Sequence, residues 1–258
     1  MRNLLFLSII TVFVSGCATT VKLPTTTNQT PEVSGETGKG HIGLNLSPTV
    51  SVTTIEDVTT NPPTRTKITV NEVSGDLFDF LFGGFAGTSF DVGFGLLSRL
   101  ELYYTPTIGL RFQWLGDPKG NGWKSTLFAG GFDSTQTQSA SANSIDTQTR
   151  SRPYGTEYGL SLGYRKDSKL LVYVTFASRG GKASIQVENS TTSNTYSYED
   201  NYDQYMGHIG VQGGEDIYFR IEAGATSVNW RAMSSATSQE ISDSGVQSSY
   251  TLGAGMKW

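Results

Sequence analysis

The chain is poor in the residues on which most enzymes, metal sites and nucleic-acid binders depend. Cys17 is the single cysteine among 258 residues, so no internal disulfide can form. His41 and His208 are the only imidazoles. Neither stands at a metal-ligand spacing with the cysteine, and no metal or cofactor is expected. Charged residues make up only 16% of the chain and the net charge is −4. That balance excludes nucleic acid as a partner, which would call for a basic patch. Beyond the first residues no apolar run approaches the ~20 residues of a membrane-spanning helix. This last absence leaves a membrane role open, because barrel strands show only alternate residues to lipid and their hydropathy averages out.

What the chain has instead is glycine, tyrosine and alternation: 30 Gly and 12 Tyr. Ile42, Leu44, Leu46, Val50 and Val52 share one parity against His41, Gly43, Asn45, Ser47 and Thr49. Phe90, Val92, Phe94 and Leu96 repeat the pattern, as do Leu100, Leu102 and Tyr104, then Ile108, Leu110, Phe112 and Trp114. Tyr158, Leu160, Leu162 and Tyr164 follow, then Ile217, Phe219, Ile221 and Ala223. This period of two predicts half-buried strands. Charges fall on the opposite parity. Asp91, Glu101, Arg111, Glu157, Arg165, Arg220, Glu222 and Lys257 are therefore candidates to line an interior, where opposite charges on neighbouring strands can pair. Trp123 to Phe132 and Leu170 to Ala177 are apolar or neutral on both parities, and Asp76 to Gly87 fits no strand pattern.

The connections are of two kinds. Ser98-Arg99, Gly116 to Gly122, Lys166 to Ser168 and Gly213 to Asp216 are short and turn-rich; Glu56 to Thr66, Ser134 to Arg152, Asn189 to Asn201 and Ser234 to Gly245 are long and polar. At the end of the chain Tyr250, Leu252, Ala254, Met256 and Trp258 alternate with small or charged residues. This ending resembles the closing strand of bacterial outer-membrane β-barrels, which commonly finish on an aromatic residue. The resemblance implies that Tyr250, Leu252, Met256 and Trp258 act as a signal to the barrel-assembly machinery. It also implies an all-β, antiparallel up-and-down transmembrane barrel, and counting the alternating segments gives about ten strands, with eight or twelve as alternatives. Such barrels have tight periplasmic turns and longer outer loops.

Met1-Arg2-Asn3, the apolar run Leu4 to Val14, and Ser15-Gly16-Cys17 read as a secretory signal. Val14 to Cys17 resembles the lipobox of bacterial lipoproteins, which implies a diacylated Cys17 at the mature N-terminus. Ala18 in the next position resembles the pattern for sorting to the outer membrane. The domains expected are a signal peptide over 1–16, a lipidated flexible tether over 17–37, rich in Thr and proline, and the barrel over 38–258. Both ends are expected in the periplasm, and the molecule is expected to be a monomer whose partners are outer-membrane lipids.

No catalytic residue stands out. Gly159 to Gly163 matches the G-x-S-x-G nucleophile elbow, but the motif needs a strand-to-helix turn and here lies inside an alternating strand. Gly116 to Ser125 has the glycines of a phosphate loop without its strand–loop–helix setting and reads as a turn. The leading expectation is a structural or surface-interaction barrel with a filled polar lumen, because an open aqueous channel belongs to barrels of ~16 strands. The polar segments Ser134 to Arg152 and Ser190 to Gln204 are candidate contact sites for an extracellular partner, the latter with Tyr196, Tyr198 and Tyr202 beside Glu199, Asp200 and Asp203. The alternatives are a narrow, porin-like solute channel, a lipid-modifying enzyme such as a lipid A or phospholipid acyl hydrolase or transferase, and a soluble periplasmic β-sandwich lipoprotein.

Overall fold

A computed structural model describes residues 16–57, 64–71, 88–142, 145–189, 194–234 and 239–258. The segment Asp76 to Gly87 and the signal region through residue 15 lie outside these residues. Every described regular element is a strand: β1 (Gly16–Pro24), β2 (Gly40–Leu46), β3 (Thr49–Asp57), β4 (Thr64–Asn71), β5 (Thr88–Leu97), β6 (Leu100–Tyr104), β7 (Thr107–Leu115), β8 (Gly122–Asp133), β9 (Gln136–Ala142), β10 (Ile145–Asp167), β11 (Leu170–Asn189), β12 (Asn194–Gly214), β13 (Ile217–Met233) and β14 (Glu240–Lys257). Eleven strands form one sheet in the order β11-β12-β13-β14-β2-β5-β6-β7-β8-β10-β9, and β11 pairs back onto β10. β9 hangs on β10 alone among them, so the closed ring has ten antiparallel strands. The last closure is β14 on β2, where Gly253 faces Asn45 and Lys257 faces His41.

The outer surface of the ring carries the apolar parity. Ile217, Phe219, Ile221, Phe176, Ile209, Phe90 and Ile108 are each 60% exposed or more. A continuous band of such residues is not tolerated by water, but is the lipid-facing belt of a membrane barrel. On β13 the band runs from Ile217 to Ala225, about 26 Å along the strand at ~3.3 Å per residue. Above it the outward residues become Asn229 and Arg231. The chain is an outer-membrane-type β-barrel: its hydrophobic rows face hydrocarbon instead of a second sheet.

The two rims differ. At one, the turn rim, the connections are tight, and Trp258 and Gly40 exchange backbone hydrogen bonds (Trp258 N to Gly40 O, 3.1 Å; Gly40 N to Trp258 O, 3.3 Å). At the other, β2, β6 and β7 stop low, whereas β10 to β14 continue as an unbroken ladder to Thr147↔Asn189, Asn189↔Asn194 and Met233↔Glu240. Much of what the sequence offers as long polar loops is strand. Thr, Tyr and Ser on alternating faces suit a sheet wetted on one side, and the inward parity of these extensions carries Ile185, Val187, Val228 and Trp230.

That inward parity is covered by a second sheet of order β1-β3-β4. Val21, Leu23, Val50, Val52, Ile68 and Val70 pack against Ala183, Ile185, Val187, Tyr202, Val228, Trp230 and Ala232 in one dry core. Val50 and Val52 therefore do not share the lipid face of Ile42 and Leu44. The chain breaks at Ser47-Pro48, and the two valines enter a sandwich above the membrane. Inside this storey Arg65 donates to both carboxylate oxygens of Asp200 (2.5 and 2.7 Å), and Trp230 Nε1 donates to Asp200 Oδ2 at 2.9 Å. Trp230 also stacks on Tyr202, with ring centroids 5.3 Å apart.

Two expectations fail at the N-terminal side. Residues 18–37 are not a flexible tether, since Gly16–Pro24 is strand and residues 25–33 are buried inside the ring. Nor do the two described ends share a side, because β1 stands above the tall rim and Trp258 lies at the turn rim. Replacing Trp230 with alanine is expected to remove about 3–5 kcal/mol from the upper storey. Faster amide hydrogen exchange at Ile185 and Val187, with unchanged heat-modifiable gel mobility of the ring, is the measurement that checks it.

Candidate functional site

The interior is organised around the segment from Pro24 to Ser34, which crosses the ring from the tall rim to the turn rim. An extended chain inside a sheet-walled tube has no ladder of its own, and its backbone groups need side-chain partners. The wall supplies them. Gln204 Nε2 donates to Pro24 O (2.6 Å), Thr226 Oγ1 to Thr25 O (2.7 Å), Arg220 Nη1 to Asn28 O (3.0 Å), Thr175 Oγ1 to Gln29 O (3.1 Å) and Thr126 Oγ1 to Thr30 O (3.0 Å). Val33 N donates to Gln113 Oε1 at 3.3 Å, and Ser34 donates to Glu101 Oε2 from its N and Oγ at 2.6 and 2.5 Å. Midway the path bends at Asn28, which has a φ of 56°, a left-handed conformation that asparagine tolerates better than most residues. Its Nδ2 donates to Ser89 Oγ at 3.2 Å. Space for the segment comes partly from Gly163, where a Cβ would stand 2.8 Å from Pro31 Cγ.

The interior charges chosen from parity all occur in this network. Glu101 pairs with Arg111, whose Nη1 reaches Gln29 Oε1 and Thr30 Oγ1 at 3.4 and 3.3 Å. Asp91 meets His41 Nε2 at 3.2 Å and Arg220 at 3.3 Å. Glu222 accepts from Tyr173 Oη at 2.6 Å and lies 3.6 Å from Arg220 Nε. Glu157 pairs with Arg179, Arg165 with Glu32, and the half-exposed Lys257 lies 3.5 Å from Glu32. Of the four closing-strand residues, Met256 and Trp258 face outward and exposed, and Tyr250 and Leu252 are half-buried.

Sequence reasoning missed Glu32, Lys124 and Arg179. Glu32 is the hub of the turn-rim end: Arg165, Lys124 (2.9 Å) and Lys257 converge on it. Its signal is visible in retrospect as the sole charge between Lys22 and Glu36. Lys124 was hidden by the register shift at Gln113/Leu115, which leaves Ser125 and Thr126 both buried. Arg179 follows the neutral stretch, where Leu171, Tyr173 and Ala177 are buried on the inward parity while Phe176 faces out. Apolar side chains on both faces of the same strand erase the alternation.

A cavity of about 360 Å³ opens at the turn rim between His41, Asp91, Arg111, Lys124, Arg165 and Tyr218, and is floored by Thr30 and Glu32 of the crossing segment. It is a polar vestibule closed on its inner side by the chain itself. A second cavity of about 520 Å³ lies at the tall rim between Leu23, Pro24, Pro106, Phe132 and Pro153.

Catalytic arrangements are sparse. Ser161 of the G-x-S-x-G match lies in β10, where its Oγ shares a 2.8 Å hydrogen bond with Thr175 Oγ1, so the residue is part of the lumen wall. Gly116 to Asn121 is a turn, after which Lys124 Nζ donates to Pro118 O at 2.8 Å. The structure does bring together one pair that the sequence did not suggest: His208 Nε2 and Ser249 Oγ, 2.7 Å apart on β12 and β14. Both are buried, and neither lines either of these cavities. A nucleophile needs room for a substrate carbonyl beside it, and Thr25 and Thr226 occupy the neighbouring lumen.

The outer wall above the membrane is laced with exposed ion pairs: Asp133 with Arg152, Lys182 with Glu199 (2.6 Å) and Asp203 with Arg231 (2.6 Å). The aromatic cluster proposed for contact is largely unavailable, because Tyr202 and Asp200 are buried in the storey's core and Tyr198 packs over Arg65. Asp203, Glu199 and the flanking polar residues remain on the surface.

No family model and no curated protein matches the chain. Solved structures similar to it are outer-membrane proteins. They include the outer membrane protease OmpT of Escherichia coli (10% identity, TM-score 0.43, 95% of this chain and 97% of that one) and Ail, the attachment invasion locus protein of Yersinia pestis (13% identity, TM-score 0.34, 86% and 99%). The copper transporter OprC is also similar (10% identity, TM-score 0.32, 93% and 51%). At these identities the likeness is one of architecture, and no activity follows from it.

Two outcomes are expected. Glu32→Gln leaves three cations without their acid; losing one partner of a buried charge cluster typically costs about 3–5 kcal/mol. Faster amide exchange at Val33 and Ser34, by tenfold or more, is the readout. In the outer wall, hydrogen bonds from Lys182 and then Tyr154 hold the Glu199 carboxyl below its ordinary value. A group held low stabilises the fold above its unfolded value of about 4.3 and loses that contribution as pH falls through the folded value. Carboxyl NMR titration should place Glu199 below the usual glutamate range, and Lys182→Met should return it upward.

Proposed function

We propose that this protein is a lipid-anchored outer-membrane barrel of the surface-interaction kind. Its own N-terminal segment seals the lumen, and its working surface is the tall storey on the outer side. The observation that carries the reading is the run of wall-to-backbone hydrogen bonds from Pro24 to Thr30. A solute passing through the ring would have to break most of them together. The ten-strand size supports the same reading, since rings of this size are filled by side chains. The dry core of the storey makes the tall rim a rigid platform that presents a polar, charge-paired wall to a partner outside the cell. In this reading the barrel is monomeric, surrounded by outer-membrane lipid, and closed by the assembly machinery through the Tyr250 to Trp258 strand.

A narrow channel is the second reading, favoured by the turn-rim vestibule with its ring of Arg111, Lys124, Arg165 and Arg220. Among the described residues, a lipid-modifying enzyme has the His208–Ser249 contact in its favour.

Planar-bilayer recording separates the first two. The wild-type protein is expected to give no steady conductance, and a variant lacking residues 25–34 to give stable openings. Steady wild-type conductance that changes when Arg111 or Arg220 is neutralised would replace the sealed barrel with the channel.

A further inference from the structure

The path of the N-terminal segment fixes which side of the membrane it emerges on. Its turn-rim end is held by Glu32 among Lys124, Arg165 and Lys257, and by Ser34 on Glu101. Its tall-rim end is held by Pro24 O on Gln204 and Thr25 Oγ1 on Pro48 O (2.7 Å). The fully extended reach of such a stretch is about 33 Å at ~3.3 Å per residue, which covers the ~25 Å apolar band of a barrel wall with length left for the bend at Asn28. The segment therefore traverses the membrane inside the ring. Beyond Pro24 the chain continues away from the bilayer as β1, paired with β3 from Pro24↔Thr49 to Gly16↔Asp57. On its other edge Gln136 and Gln138 of β9 clasp it: their amides donate to Lys22 O (2.6 Å) and Thr20 O (2.7 Å), and their carbonyls accept from Lys22 N (2.9 Å) and Thr20 N (3.3 Å).

We propose that the N-terminal segment is threaded outward through the barrel, so that Cys17 and the start of the mature chain are displayed on the outer face of the outer membrane. Tight turns mark the periplasmic rim in such barrels, and Cys17 stands beyond the opposite one. This inference rests on the lipid-anchor reading only for the lipid itself; the route of the chain is independent of it. A lipid carried on Cys17 is then an outer-face lipid. Threading also constrains assembly. β14 and β2 are paired from Leu252↔Leu46 to Lys257↔His41, and the segment leads into β2 at Gly40. It is enclosed as those two strands zip together, because a lipidated end cannot be drawn through the finished, filled tube.

The test uses the full-length protein in intact cells. One variant carries an epitope inserted between Cys17 and Ala18, and a control carries the same epitope in the turn between Gly120 and Asn121. A third carries Asn28→Cys with Ser89→Cys, a pair whose side chains touch across the lumen. Threading predicts a disulfide that changes gel mobility in the folded barrel, antibody binding to the N-terminal epitope on intact cells, and binding to the turn epitope only after permeabilisation. A folded, heat-modifiable barrel that forms no 28–89 disulfide under oxidation overturns the threading. A disulfide with an N-terminal epitope reached only after permeabilisation overturns the outward exit. Incorporation of labelled palmitate, lost in Cys17→Ala, reads the lipid separately. An exposed epitope without label overturns the anchor and leaves the route standing.

Discussion

An extended chain buried in a closed tube must have its backbone polar groups satisfied by the tube, and much of this molecule follows from that requirement. The inward rows of the barrel carry Thr126, Thr175, Thr226, Gln113 and Gln204 where a side chain must reach a carbonyl or amide of the crossing segment. Arg111 and Arg220 each join a wall acid to polar atoms of the segment, and Arg165 joins the segment's Glu32 to the Ser168 carbonyl of its own turn. A buried hydrogen bond adds only about 0.5–1.5 kcal/mol when formed, but an orphaned buried group costs about 1–3 kcal/mol. The segment and the wall are thus mutually dependent. Emptying the lumen leaves arginines and carboxylates without their neighbours, and altering the wall leaves the segment unsatisfied.

Charge placement follows the same logic. Glu32 gathers three cations at the turn rim, the Glu101–Arg111 and Asp91–Arg220 pairs stand beside it around the vestibule, and Glu157–Arg179 lies towards the tall rim. Isolated charges in such a place would be costly to desolvate; pairing and hydrogen bonding offset that cost without necessarily adding net stability. For the segment the arrangement sets one level, since Glu32, its sole charge, meets Arg165, Lys124 and Lys257 only at the turn rim. The Arg65–Asp200–Trp230 contact does the equivalent for the upper storey, tying β4 to β12 and β13 inside an otherwise apolar core.

The molecule thus uses both solutions available to an amphipathic sheet. Below the tall rim the apolar faces are turned to hydrocarbon and the polar faces inward. Above it, in water, the same strands carry their apolar residues inward against β1, β3 and β4. The inversion occurs within single strands. On β13 the outward face passes from Ile221 to Arg231 while the inward face passes from Arg220 and Glu222 to Val228 and Trp230. No break in the ladder marks it, and the surrounding medium alone changes.

Sequence by itself determined the barrel, because period-two alternation with charges on one parity is a local property of each strand. It therefore also determined which charges turn inward, Asp91 and Arg220 among them, and the closing strand at Tyr250 to Trp258. Tertiary structure decided everything that depends on a second surface. Val50 and Val52 alternate as Ile42 and Leu44 do, and only the sheet opposite them makes their face dry. Thr25 to Ser34 reads as a polar linker because most of its residues are hydrophilic and they follow no period; it is buried because donors from β8, β11, β12 and β13, far apart in sequence, converge on its backbone. No local pattern encodes such convergence, since the partners of a backbone carbonyl leave no mark on the residue that carries it.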